Sequence, residues 1–179
     1  MRHCLNAPLS LLLLLFCASL QAAPLSDADI RQWANTYQAV MAWANKTSIQ
    51  QDFAAGQKSI QQNDIFGQMM MQAKAQGYYQ ELAGVVKSNG YSDPQQWAVV
   101  GDRIFKAFLA NHTEGDMEPQ IRQLEAMLDS NAIPPEQKAA MEAILQQSLA
   151  TLKSIADTPA EDKAAVQRNE AVLQSLFGM

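Results

Sequence analysis

Cysteine and histidine are scarce in this sequence and lie mostly at its start. The 179 residues include two Cys and two His, and Cys4, Cys17 and His3 all lie within the opening segment. From residue 23 onward there is no Cys and a single His, His112. Cysteine nucleophiles, disulfides and attached haem are therefore excluded from that part of the chain. A Ser-His-acid triad could use only His112, and no serine lies in a nucleophile-elbow pattern.

Positive charge is also in short supply. The chain has 13 Lys and Arg against 18 Asp and Glu, a net charge of -5, and a pI near 4.9. Nucleic-acid-binding proteins gain affinity by neutralising phosphates with basic surfaces, so this balance argues against such a partner. A glycine-rich phosphate-binding loop is absent as well. We expect no cofactor.

The longest apolar run, residues 9–20, follows the positively charged Arg2. It is shorter than the roughly 20 apolar residues that a stable membrane span requires. Small residues follow it, and Ala22 suits the position before a signal peptidase cut. We therefore expect residues 1–22 to be a secretory signal peptide and residues 23–179 to form a single helical domain. No stable membrane span is expected after cleavage.

Cleavage would remove Arg2 and leave 12 cationic against 18 acidic side chains. An exported chain without Cys cannot use disulfides, so its stability must come from a hydrophobic core, for which its length is sufficient. The short signal and the cysteine-free remainder favour a bacterial periplasmic or secreted protein.

The rest of the chain has the composition and periodicity of helices. Ala and Gln are abundant, Val and Ile are sparse, and no stretch alternates as a strand would. Apolar residues recur at helical spacing between short turn segments. This pattern predicts an all-α fold, a compact bundle of six or seven helices joined by short capped turns.

Capping signals mark where several helices should begin. Ser26, Ser92 and Thr158 are each followed three residues later by Asp, Gln or Glu, the spacing of a capping box. The expected helices include residues 27–45, a weak helix over 47–62, a strong one over 64–88, one over about 94–110, and a single terminal helix after Thr158.

The most specific local pattern surrounds Trp97. Trp97 and Gly101 are four residues apart and share a helix face, where glycine allows a close approach. We expect a tight helix crossing there in preference to a ligand pocket, and Arg103 to pair with a carboxylate. The stretch Gly90-Tyr91-x5-Trp97-x3-Gly101-Asp102-Arg103 resembles small exported helical proteins of proteobacteria with no assigned function. Residues 159–162 show a weaker resemblance to the same proteins. This resemblance implies neither an activity nor functional residues.

Two segments have metal-binding side chains. The acidic residues between His112 and Glu118 could wrap a hard cation, although a solvated loop before a helix has the same composition. Met69, Met70 and Met71 are consecutive, and consecutive helical side chains diverge by about 100°, so they cannot converge on one ion. We expect no metal site.

Aromatic and Met residues are concentrated before Gly101. Such side chains contribute strongly to binding, although they would equally fill a wide core. We predict ligand or partner binding by Trp43, Tyr78, Tyr79, Met70 and Trp97 in a non-catalytic interaction module of the bacterial envelope. The partner would be an envelope protein or an apolar ligand. The alternatives are a carrier of a lipid or other apolar ligand, and a carboxylate-based hydrolase or lyase.

Overall fold

The computed structural model describes residues 23–47, 64–113, 117–129 and 135–178. The expected signal peptide and nearly all of the weak helix over 47–62 lie outside these ranges. Within them the chain is all-α, which confirms the predicted fold class. The described helices are α1 (Asp27–Lys46), α2 (Ile65–Ala75), α3 (Tyr79–Ser88), α4 (Pro94–Thr113), α5 (Met117–Asp129), α6 (Pro135–Ala156), α7 (Ala160–Arg168) and α8 (Glu170–Phe177).

Helix α1 begins with the predicted capping box. The Asp29 N–H donates to Ser26 Oγ at 3.1 Å, and the Ser26 N–H donates to Asp29 Oδ2 at 2.9 Å. The two bonds satisfy backbone donors that no helical carbonyl can reach. The helix then buries Ile30, Trp33, Ala34, Thr36, Tyr37, Val40 and Ala44.

The predicted helix over residues 64–88 is wrong, because it is interrupted at Gly77. This glycine has a φ of 86°, in the left-handed region that ends helices. The Tyr78 N–H donates to the Ala73 carbonyl at 3.1 Å, and the Gly77 N–H donates to the Lys74 carbonyl at 3.3 Å. This pair of bonds is a Schellman motif, which terminates α2 before α3 begins.

The predicted single terminal helix is also wrong, because Asn169 separates α7 from α8. Its side chain is buried and donates to the Ala165 carbonyl at 2.9 Å and to Asp27 Oδ1 at 3.2 Å. An Asn side chain that bonds to nearby backbone competes with helix continuation. The turn between α7 and α8 therefore lies where Asn169 is bound to the start of α1.

Two predicted caps differ in the structure. Helix α4 is capped by Asp93 in place of Ser92, since the Gln95 N–H donates to Asp93 Oδ1 at 3.0 Å. Pro94 then occupies the first helical position, where its missing N–H costs nothing. Helix α7 follows Pro159, and no side chain caps it. The Thr158 hydroxyl, the expected cap, is buried without a hydrogen-bond partner among the described residues.

The centre of the molecule is an aromatic core around Trp33. Its indole stacks on Tyr37 and on Trp97, with ring centroids 5.2 and 6.2 Å away, and meets Phe66 edge to face at 5.1 Å. A Cβ atom on Gly101 would lie 2.5 Å from Trp33 Nε1 and 2.8 Å from Phe66 Cδ2. The predicted tight approach at Gly101 is confirmed.

Helices α5 and α6 form a hairpin that packs against α4. Among its described side chains only Met117, Leu145 and Ile155 are buried. Met117 and Ile155 form a second, smaller apolar cluster with Ala110 of α4, and Leu109 and Leu152 pack against it. Several apolar side chains of the hairpin face solvent, namely Met127, Met141 and Ile144.

Candidate functional site

Three of the five predicted binding residues are buried. Trp97 and Met70 have no exposed surface and belong to the aromatic core, so neither can touch a partner in this conformation. Tyr78 is 9% exposed and packs against Trp43, with the ring centroids 5.9 Å apart.

Trp43 and Tyr79 retain part of their surface. Both are partly buried and pack against the core, and Lys74 Nζ lies 4.8 Å from the centre of the Tyr79 ring. The structure thus brings Trp43 together with Tyr78, beside Tyr79, and places Met70 and Trp97 below the surface. Binding through these residues stays a prediction.

A bidentate ion pair joins α4 to α7. Arg103 Nη2 lies 2.8 Å from Asp162 Oδ2 and 2.9 Å from Oδ1, and Nε lies 3.1 Å from Oδ2. The Asp162 side chain is 2% exposed and that of Arg103 is 25% exposed. A carboxylate so deeply buried needs a partner that matches its geometry, which the planar guanidinium supplies. The predicted pairing of Arg103 with a carboxylate is confirmed.

The same ion pair holds the start of the described chain. The Leu25 N–H donates to Asp162 Oδ1 at 2.8 Å, and Arg103 Nη2 donates to the Ala23 carbonyl at 2.9 Å. Both oxygens of Asp162 are therefore occupied by protein donors. This arrangement fixes residues 23–25 between the two helices.

An open cleft of about 530 Å³ lies beside this ion pair, and we call it the α4–α7 cleft. Arg103 and Asp162 neutralise each other within it. Lys106 and Glu161 also line it, and neither makes an ion pair with a described residue. The remaining lining residues are Ala23, Pro24, Thr158 and Pro159.

Helix α7 begins beside the cleft, since Pro159, Glu161 and Asp162 line it. A helix leaves its first N–H groups without helical acceptors, and its N-terminus carries a partial positive charge. Because Pro159 has no side-chain oxygen, it cannot satisfy these donors as Ser26 does for α1. Thr158 lines the cleft, and its buried hydroxyl has no hydrogen-bond partner in the described chain. These features suit an anionic group.

The His112 side chain is held by contacts within the protein. Its Nδ1 lies 2.9 Å from the Phe108 carbonyl, its ring contacts the Phe108 ring at 4.2 Å, and its Nε2 lies 3.4 Å from Glu170 Oε1. Residues 114–116 of the suggested cation loop lie outside the described ranges. Within those ranges no group of three His, Cys, Asp or Glu side chains could hold a metal ion.

Two acidic residues, Asp64 and Asp102, lie where α2 meets α4. Asp102 Oδ1 accepts from the Phe66 N–H at 2.9 Å and Oδ2 from the Gly67 N–H at 3.3 Å, so Asp102 caps α2. Burial, and then the neighbouring Asp64 carboxyl, raises the pKa of Asp102 to about 7.

Comparison of the chain with protein-family models, with curated proteins and with solved structures gave no match. None of the described helices combines the length and the apolar character needed to cross a bilayer.

Proposed function

We propose that the protein is a non-catalytic binding module of the bacterial envelope whose binding site is the α4–α7 cleft. The observation that carries this proposal is the distribution of charge in the cleft. Asp162 neutralises the positive charge of Arg103. The positive charges of Lys106 and of the uncapped start of α7 are not neutralised in this way. The ligand would be a small molecule that presents a carboxylate or a phosphate.

The size of the cleft supports a small ligand. Small-molecule sites in proteins typically have volumes of about 300–1,000 Å³ and a few oriented polar groups, and this cleft measures about 530 Å³. Pro24 and Pro159 add apolar surface that the body of a ligand can cover. Its anionic group would lie against Lys106 and the first N–H groups of α7, while Glu161 limits how much negative charge the cleft accepts.

The carboxylate-based hydrolase or lyase has less support. Two-carboxylate mechanisms need an acid and a base that are both free to exchange protons with a substrate. In the cleft Asp162 is occupied by Arg103 and by the Leu25 N–H, so Glu161 alone is free. A carrier of apolar ligands also has less support here, because the cleft is open and charged groups line it.

The envelope location rests on the sequence. The opening residues have the pattern of a secretory signal, and the resemblance to exported proteobacterial proteins agrees with it. An intact-mass measurement on protein recovered from a periplasmic fraction tests it, with an N-terminus at Ala23 as the expected result. Retention of residues 1–22 would contradict it.

Titration with acetate, inorganic phosphate and the dipeptide Ala-Ala, followed by NMR of backbone amides, tests the binding site. At constant ionic strength, we expect saturable shifts at Ala160 and Glu161. Lys106→Gln should weaken binding about fivefold, equivalent to about 1 kcal/mol, and Glu161→Gln should strengthen it.

Lys87→Gln is the matched control, because Lys87 is exposed on α3, away from the cleft lining. It should leave the affinity unchanged. Equal weakening in Lys87→Gln and Lys106→Gln would show a general charge effect and contradict the site. Shifts spread evenly over the surface would also contradict it.

A further inference from the structure

The last turn of α4 meets the start of α8 at His112 and Glu170. His112 Nε2 lies 3.4 Å from Glu170 Oε1, and the two side chains are 35% and 42% exposed. The helices also touch through Phe108 and Phe177, whose rings meet edge to face with centroids 5.1 Å apart. The imidazole and the carboxylate therefore lie side by side on a packed junction, within reach of solvent.

The hydrogen bond at Nδ1 decides which ring nitrogen of His112 is free. Nδ1 lies 2.9 Å from the Phe108 carbonyl. A carbonyl can only accept, so Nδ1 holds the proton of the neutral ring and the lone pair is on Nε2. Histidines that bind metal ions are held in the same way, because the other ring nitrogen donates to a backbone carbonyl or a carboxylate. Nε2 is thus prepared as a metal ligand.

The Glu170 carboxylate is available as a second ligand. Its Oε1 accepts from the Gln174 side chain at 2.9 Å, one turn further along α8, which orients the carboxylate. A carboxylate oxygen has two lone pairs, so Oε1 keeps one of them. No Lys or Arg in the described ranges lies within ion-pair distance of Glu170. Its negative charge can therefore serve another cation.

The distance between the two atoms matches that of two ligands of one tetrahedral ion. A charge-assisted bond from a protonated imidazole to the carboxylate would be about 2.7–2.9 Å long, shorter than the 3.4 Å observed. Zn²⁺ binds His nitrogen and carboxylate oxygen at about 2.0–2.2 Å, and tetrahedral angles then place the two atoms about 3.3–3.5 Å apart. The right angles of an octahedral Mg²⁺ site would place them about 2.9 Å apart. The spacing therefore favours zinc.

We propose that His112 and Glu170 form a surface site for Zn²⁺, with His112 Nε2 and Glu170 Oε1 as its two protein ligands. Water fills the other two positions of the tetrahedron, since the described residues contain no group of three such ligands. Structural zinc sites have four protein ligands and bind far more tightly, so we expect a dissociation constant on the order of 0.1 mM. Neither residue lines the α4–α7 cleft, so this site does not rest on the proposed function.

Nitrogen-15 NMR of the imidazole tests the site in the purified protein, without a polyhistidine tag that would itself bind zinc. Titration with zinc chloride should move the signal of His112 Nε2 to the position of a metal-bound nitrogen, whereas Nδ1 should keep its proton. Magnesium chloride at the same concentration should leave both signals unchanged.

Two variants distinguish the site from a general effect of charge. Glu170→Gln removes the anionic ligand and should weaken zinc binding about tenfold. Glu125→Gln is the matched control, because the Glu125 side chain on α5 is 43% exposed, against 42% for Glu170. It should leave the zinc affinity unchanged, and equal weakening in the two variants would contradict the site.

His112→Ala should abolish zinc binding. If the loss of its contact with Phe108 prevents folding, Glu170→Gln still decides, because the Glu170 side chain is 42% exposed. An Nε2 signal that does not move at about 1 mM zinc, ten times the expected dissociation constant, would overturn the site. Zinc binding of full strength in Glu170→Gln would show that His112 binds alone and would overturn the pair.

Discussion

The aromatic core and the α5–α6 hairpin differ in how completely they bury their side chains. In the core, Trp33, Trp97 and Phe108 are fully buried. In the hairpin, the buried described residues are smaller and retain 6–8% exposure: Met117, Leu145 and Ile155. Because stabilisation scales with buried apolar area, most of it comes from the core. The hairpin should therefore open locally at a lower free energy.

This difference also explains the concentration of aromatic residues in the first part of the chain. Trp33, Tyr37, Phe66 and Trp97 contact one another in the core. These rings fill the space between α1, α2 and α4. Aromatic content alone was thus a poor guide to which of these residues reach the surface.

The largest expected effect is the loss of Trp97. Trp97→Ala should lower the free energy of unfolding by about 3–5 kcal/mol, because it removes a fully buried aromatic side chain and leaves a cavity. Met141→Ala is the control in the hairpin, where Met141 is 38% exposed, and should cost less than about 0.5 kcal/mol. Urea denaturation measures both, and similar losses would remove the contrast between the regions.

The Arg103–Asp162 ion pair provides the next largest effect. Arg103→Ala should cost about 3 kcal/mol, because the buried Asp162 carboxylate would lose its charged partner. Arg122→Ala breaks an ion pair in the hairpin whose side chains are 66% and 81% exposed, and should cost less than about 0.5 kcal/mol. Thermal unfolding compares the two, and a small loss for Arg103→Ala would mean that Asp162 is readily hydrated.

Gly101 tests how closely the core is packed. Gly101→Ala should destabilise the protein by about 1–3 kcal/mol, because the added methyl group would overlap Trp33 and Phe66. Gly84→Ala, on α3, has open space around the new Cβ and should stabilise the protein by about 0.5–1 kcal/mol. If both changes were stabilising, the core would have room that the structure does not show.

The smallest effect concerns the start of α4, the helix that both regions share. Asp93→Ala should cost about 1 kcal/mol through loss of the bond to the Gln95 N–H. Ser92→Ala should change stability by less than about 0.5 kcal/mol, because Ser92 is exposed and lies outside the helix. Chemical denaturation measures both losses. A larger loss of stability for Ser92→Ala than for Asp93→Ala would mean that Ser92 is the cap.

Much of the fold was predictable because helix formation leaves strong local patterns. The apolar stripe and the capping box of α1 depend on residues a few positions apart, and the structure confirms both. The breaks at Gly77 and Asn169 were missed. A glycine before two tyrosines is compatible with a continuous helix. Asn169, at the turn between α7 and α8, is bound to Asp27, a contact that no local pattern shows.

The cleft was less predictable because its residues are far apart in the sequence. Arg103 could be assigned a carboxylate partner, but Asp162 looked like an ordinary acidic residue in the first turn of a helix. The neighbouring pair of Asp64 and Asp102 was hidden for the same reason, since 38 positions separate them in the chain. A proline in the capping position of α7 was the one local sign that this helix start lacks a side-chain acceptor.

The bonds at the start of α1 have a consequence for the order in which the protein can fold. The Leu25 N–H and the Asp27 carboxylate find partners 137 and 142 positions further along the chain, in Asp162 and Asn169. The start of α1 therefore cannot be fixed until residues 137 and 142 positions away have been brought to it. Contacts of such wide separation slow folding, because a long loop must close first. A chain that ends before α7 would leave Arg103 without Asp162.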